Sequence, residues 1–172
     1  MTKTDTGSSS ATGGRDLAAE LDHLHALEEL RCLKHRYLRC VDTKQWDEFE
    51  ACFVPEATGD YNGLVFGDRA SLVDYMRTHM GEELISLHQA HHPEISIDGD
   101  RATGRWYLQD KVIVQAYQFM LEGAAIYEDR YVRTPDGWRI EHTGYQRTYE
   151  ATYHLGDLPR FKLSGPGEHT HV

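Results

Sequence analysis

"RATGRWYLQDKVIVQ" (residues 101–115) alternates: Ala102, Gly104, Trp106, Leu108, Val112 and Val114 share one parity, while Arg, Thr, Tyr, Gln and Lys hold most of the other. A period of two is the signature of a half-buried strand, because successive side chains leave a strand on opposite sides. Asp110 is the only charge on the apolar parity. An ionised carboxylate facing a core is costly unless it is paired, hydrogen-bonded or protonated. Asp110 therefore faces a polar cavity, joins a structural ion pair, or is turned outward by a bulge.

Downstream, "AAIYEDRYVR" (124–133) and "WRIEHTGYQRTYEATYH" (138–154) read as two more strands joined by "TPDG" (134–137), a hairpin turn signal. In the last strand Trp138 and Ile140 share one parity, whereas Tyr145, Arg147 and Tyr149 share the other. A bulge at Gly144 reconciles the two halves and turns Arg147 inward; without it Arg147 is a solvated outer residue.

Upstream the period is helical. Leu17, Leu21, Leu24, Leu27, Leu30, Leu33, Tyr37 and Val41 recur at steps of three and four, the stripe of one long amphipathic helix ending near Asp42. A buried Tyr37 ring needs a partner for its hydroxyl. Asp42, one residue past the stripe, reads as a cap or turn residue. Trp46, Phe49 and Phe53, after Asp42 or Thr43 as cap and before Pro55, mark a short second helix, and "DRASLVDYMRTHM" (68–80) marks a third. The alternating pattern starts after Pro93. Helices first and adjacent antiparallel strands afterwards indicate an α+β fold rather than a doubly wound α/β sheet.

"ISLHQAHHPEI" (85–95) carries His88, His91 and His92. As metal ligands they fit poorly: His88 and His91 share a face only in a helix, His92 before Pro93 is biased toward extended backbone, and no patterned Cys or His elsewhere completes a site. One of them can act as a base if a carboxylate elsewhere in the chain orients it.

The 172 residues suit one core, and residues 15–160 read as a single domain. The Gly/Ser/Thr-rich lead, residues 1–14, has the composition of a disordered segment, and residues 161–172 that of a flexible tail. With 28 acidic against 18 basic residues and a formal net charge of -10, no nucleic-acid or anionic-membrane partner is expected. There is no apolar leader or bilayer-length apolar run, so a cytoplasmic location is expected. Cys32, Cys40 and Cys52 are an odd number in segments read as helical, which argues against a disulfide framework.

Four segments, "YLRCVD" (37–42), "ISLHQAHHPEISI" (85–97), "ATGRWYLQD" (102–110) and "TGYQRTYE" (143–150), together resemble the SnoaL-like branch of the nuclear transport factor 2 superfold, and within it the bacterial bile-acid 7α-dehydratases. The likeness runs from about Arg15 to His154. It implies a cone-shaped, cystatin-like α+β barrel in which the N-terminal helices close over a strongly curved antiparallel sheet and leave a deep apolar pocket. It implies site residues at Tyr37, Asp42, His88, Asp110 and Arg147, with His88 as the base and Asp42 as its partner. It also implies a cofactor-independent and metal-free dehydratase acting on a hydroxylated 3-oxo-Δ4 steroid or similar polycyclic ketone, free or as a coenzyme A ester, and a homotrimer. Asp110 is then an acid for the departing hydroxyl, a water-positioning group or a partner of Arg147. A ketosteroid isomerase or polyketide cyclase-like enzyme on the same pocket, and a non-catalytic ligand-binding module, are the competing readings.

Overall fold

The computed structural model describes residues 16–164; the lead (1–14) and the end of the tail lie outside them. Helix α1 spans Leu17–Thr43, α2 Trp46–Glu50 and α3 Arg69–His79. The strands are β1 Phe53–Tyr61, β2 Leu64–Phe66, β3 Leu84–Asp98, β4 Arg101–Val114, β5 Phe119–Thr134 and β6 Gly137–His154. They form one curved sheet in the order β2-β1-β6-β5-β4-β3. Every pairing is antiparallel except β1 with β6. The α+β class and the helix-on-curved-sheet layout are as the sequence indicated.

Asp16 starts α1 by accepting from the Ala18 and Ala19 amides, each at 3.2 Å. Lys44, in the left-handed region at φ 59, ends it. Leu30, Leu33, Tyr37, Leu38 and Val41 bury one face of α1 in the core, and each fully buried Leu-sized side chain contributes about 1.5–3 kcal/mol. The stripe is not buried along its whole length. Leu17, Leu21 and Leu24 are 74%, 66% and 60% exposed, because the first turns of α1 run past the body of the domain.

Alternation in β4 holds as read up to Asp110, with Ala102, Gly104, Trp106, Leu108 and Asp110 all buried and the residues between them exposed; beyond it Val112 and Val114 are half-buried and Ile113, on the other parity, is buried against Met120 and Leu155. Elsewhere the pattern needed tertiary context. Strands β1 and β2 were not legible, and Pro55 does not end a helix: it lies inside β1, where the β1–β6 register slips between Phe53 and Thr58 and no ladder amide is required. Neither Asp42 nor Thr43 caps α2, whose first turn follows Gln45 without a side-chain cap.

Strand β3 begins at Leu84, well before Pro93, and a bulge rather than a helix-to-strand change accounts for the irregular pattern there. His91 opposes Tyr107 and Glu94 opposes Arg105, so His92 and Pro93 together face Trp106. His92 takes φ 47 at that bulge instead of the extended backbone expected before proline. In β6 the parity change comes not from Gly144 but from an extra residue at Glu141, between the pairs Arg130–His142 and Tyr131–Ile140. A second extra residue, Thr148, follows Arg147. The bulge at Glu141 puts Trp138 and Ile140 on the same side as Thr143, Tyr145 and Arg147, which is why Arg147 points inward. At the other end of the sheet, Phe161 and Leu163 pack on Ile113, Met120 and Leu155, so residues 161–163 are held against the domain.

Candidate active site

A cavity of about 320 Å³ opens between α1, α3 and the inner face of the sheet, and its wall includes Tyr37, His88, Asp110 and Arg147. Tyr61, Tyr127 and Tyr145 complete its polar side, and Leu38, Leu108 and Val112 contribute to its apolar side. A larger open depression of about 560 Å³, on the outer face near Glu94, Arg105 and Glu128, includes none of the five residues named from the sequence. The chemistry is concentrated in the smaller, deeper space.

Asp42 stands in the last turn of α1, where the chain meets β3. Its Oδ1 accepts from His88 Nδ1 at 2.6 Å and from Ser86 Oγ at 2.8 Å, while Oδ2 accepts from the His88 backbone amide at 2.9 Å. Burial pushes the Asp42 carboxyl upward, but the bonds from the His88 ring, the His88 amide and Ser86 outweigh it and hold the group below the usual carboxylate range. A carboxylate at Nδ1 fixes the tautomer with the proton on that nitrogen. The other nitrogen, Nε2, is then the basic one in the cavity that His88 lines.

On the facing strand Asp110 is 4% exposed. Arg147 grips it with both terminal nitrogens, Nη1 to Oδ1 at 2.6 Å and Nη2 to Oδ2 at 2.8 Å, the fork geometry that only arginine supplies. Burial lowers the guanidinium and the Asp110 bonds raise it, with a net shift upward. Of the readings open for Asp110, the structure selects the inward, paired one. Gly123, opposite Asp110 on β5, makes room for the pair. A Cβ there would lie 2.8 Å from the Tyr149 carbonyl oxygen and 2.9 Å from Arg147 Nη1.

The Tyr37 hydroxyl lies 2.6 Å from that of Tyr61, which satisfies the buried phenol. Burial pushes the Tyr37 phenol well above its ordinary value, and Tyr127 and Tyr61 add in the same direction, which keeps Tyr37 a neutral phenol. His91 and His92 are exposed, away from the cavity. Among the described residues no group of three or more His, Cys, Asp or Glu could hold a metal ion.

All five residues named from the sequence thus fall in one region, with Asp42 directly behind His88. Sequence reasoning missed Ser86, Tyr61, Tyr127, Lys34 and Asp129. Two of these carried a visible signal: Lys34 lies on the helical stripe between Leu30 and Tyr37, and Asp129 lies on the buried parity of β5 between Tyr127 and Tyr131.

Among curated proteins, the chain is 28% identical over 115 residues to an uncharacterized protein of Mycobacterium tuberculosis (strain ATCC 25618 / H37Rv), covering 65% of this chain and 78% of that one. Similar solved structures include a type 2 hexachlorocyclohexane dehydrochlorinase, with TM-score 0.74, 15% identity, and coverage of 87% of this chain and 99% of that one. A scytalone dehydratase-like protein from Novosphingobium aromaticivorans superposes with TM-score 0.70 at 16% identity, covering 80% of this chain and 92% of that one. At these identities the structural likeness establishes the fold. The model of the SnoaL-like domain matches residues 22–144, the stretch that carries most of α1, the β3 dyad strand and the Asp110 strand, and the chain belongs to that family.

Proposed function

We propose that the protein is a cofactor-independent carbon–oxygen lyase that eliminates water from a hydroxylated 3-oxo-Δ4 steroid or a similar polycyclic ketone, free or as a coenzyme A ester. The observation that carries this reading is the 2.6 Å contact between His88 Nδ1 and Asp42, at the wall of a cavity that also holds a donor phenol and an Arg–carboxylate pair. In such a substrate the ketone conjugates through the alkene to the carbon that loses its proton. His88 Nε2 takes that proton, Asp42 stabilises the imidazolium, and charge spreads onto the ketone oxygen, which Tyr37 receives.

The hydroxyl leaves next. Both Asp110 oxygens are occupied by Arg147, which favours a positioning role for the pair over that of a free acid. The proton that the hydroxyl requires is then the one His88 has just acquired, so the substrate loses one proton and one hydroxide as a single water.

Incubation with a panel of hydroxylated 3-oxo-Δ4 steroids, as acids and as coenzyme A esters, tests the reading by mass. Loss of one water from at least one member is expected. A product of unchanged mass with a shifted double bond would assign the isomerase reading instead, and no turnover of any member would leave only ligand binding. Exhaustive chelation is expected to leave elimination intact, and loss restored by zinc would overturn the dyad scheme.

The same proposal includes assembly as a homotrimer. Its support is the apolar surface left uncovered in the single chain: Ile85, Leu87, Tyr107 and Tyr149 on the sheet, and Leu17, Leu21 and Leu24 on α1.

A further inference from the structure

A pair of buried charges takes no part in the scheme above. Lys34 on α1 is 0% exposed, and its Nζ lies 2.8 Å from Asp129 Oδ2 on β5. The carboxylate is fully engaged: the Tyr131 hydroxyl donates to Oδ2 at 2.7 Å and Thr143 Oγ1 donates to Oδ1 at 2.8 Å. Trp106 Nε1 in turn donates to the Tyr131 hydroxyl at 2.9 Å.

The ammonium is anchored less completely. Its contact with Asp129 is close but lacks the alignment of a hydrogen bond. Its other neighbours are ring faces, with Nζ 3.3 Å from the Tyr127 centroid and 4.5 Å from the Tyr37 centroid. Burial pushes the ammonium downward in pKa and Asp129 resists it.

A buried ion pair is a poor source of stability, since an apolar pair of similar volume usually serves as well. What this one supplies is a fixed positive charge against two cavity-lining phenols. A cation on a ring face draws on the π density, which makes the phenolic hydroxyl a stronger donor at its far end. Tyr37 is hydrogen-bonded to Tyr61, the Tyr127 ring packs edge-on against that of Tyr37, and all three residues line the cavity. Asp129 acts on Tyr127 and Tyr61 in the opposite sense, but the ammonium is the charge in contact with the ring.

We propose that the paired hydroxyls of Tyr37 and Tyr61, with the neighbouring phenol of Tyr127, form a subsite for the oxyanion of an enolised ketone, and that Lys34 is its positioning residue. The identity of the oxyanion rests on the dehydratase reading; the preference for a negatively charged oxygen does not. Tyr61 and Tyr127 thereby join Tyr37 at the oxygen end of the substrate, and Lys34 acts through the rings without touching it.

The test is binding, not turnover. 2-Naphthol and a series of ring-substituted phenols of graded acidity mimic the enolate, and 2-methoxynaphthalene is the neutral control. Two variants remove the charge: Lys34→Gln, which keeps a donor for Asp129, and Lys34→Met paired with Asp129→Asn, which leaves no unpaired carboxylate. Thermal melts establish folding, and fluorescence titration at fixed pH gives the dissociation constants.

Wild-type affinity is expected to rise with phenol acidity. Each folded variant lacking the ammonium should bind the ionised phenols about tenfold more weakly, with the methyl ether unchanged within about twofold. Tyr61→Phe should show the same contrast. Equal losses for phenolate and ether, no loss in a folded variant, or no acidity dependence in the wild type would overturn the subsite. If the contrast is found and no steroid is dehydrated, the subsite stands and the dehydratase reading fails; dehydration without phenolate preference gives the reverse.

Discussion

His88 and Asp110 are direct cross-strand partners on β3 and β4, with both side chains on the cavity side. Such pairs hold their Cβ atoms about 5 Å apart, so the proposed base and the Arg147-held carboxylate meet the same region of a substrate. Proton removal and hydroxyl departure are thereby placed next to each other, which suits a single histidine serving both. The dyad behind it is the part most directly open to mutation.

His88→Ala should lower kcat by about 10² to 10⁴, Asp42→Asn by a comparable or smaller factor, and the double variant by scarcely more than His88→Ala alone. The carboxylate has nothing to orient once the imidazole is gone. Steady-state kinetics on folded variants decides the matter: multiplicative losses would mean that the two residues act separately.

Gly123→Ala tests the Asp110–Arg147 pair without altering either charge. The new methyl meets a backbone oxygen that cannot yield as well as the guanidinium. The expected result is a stability loss of about 1–3 kcal/mol by denaturant unfolding, together with a fall in kcat. An unchanged kcat in the folded variant would show that the pair is not needed in its observed geometry.

Acid stability should report the Asp42 bonds. The folded-state pKa of Asp42 lies below its ordinary value of 3.8. Its contribution is therefore fully present above that value and is lost as pH falls through the lower folded one. Asp42→Asn should flatten the stability profile in that acid range relative to the wild type, as measured by urea midpoints at successive pH values. A parallel profile would place the acid sensitivity elsewhere.

Light scattering at micromolar protein should give the mass of a trimer. Leu87→Glu and Tyr107→Glu, on the outer side of the sheet, should then shift the protein toward smaller species without unfolding it. A wild-type monomer would remove the assembly proposal and leave these apolar residues facing water.

The sequence by itself determined the helical and strand periods, the α+β class and the oddity of Asp110 on an apolar face, because these follow from local geometry repeated every two or 3.6 residues. The roles of Tyr37, Asp42, His88 and Arg147 came from the resemblance of four short segments, not from their spacing. Only the tertiary structure decided what the segments do to one another. Arg147 turns inward because Glu141 bulges against β5, and β3 survives a proline because a bulge at His92 absorbs it. Lys34 stays buried because Asp129, 95 residues later in the chain, arrives beside it. Register slips and long-range charge pairs leave no local period in a sequence, since their free energy depends on partners that folding alone brings together.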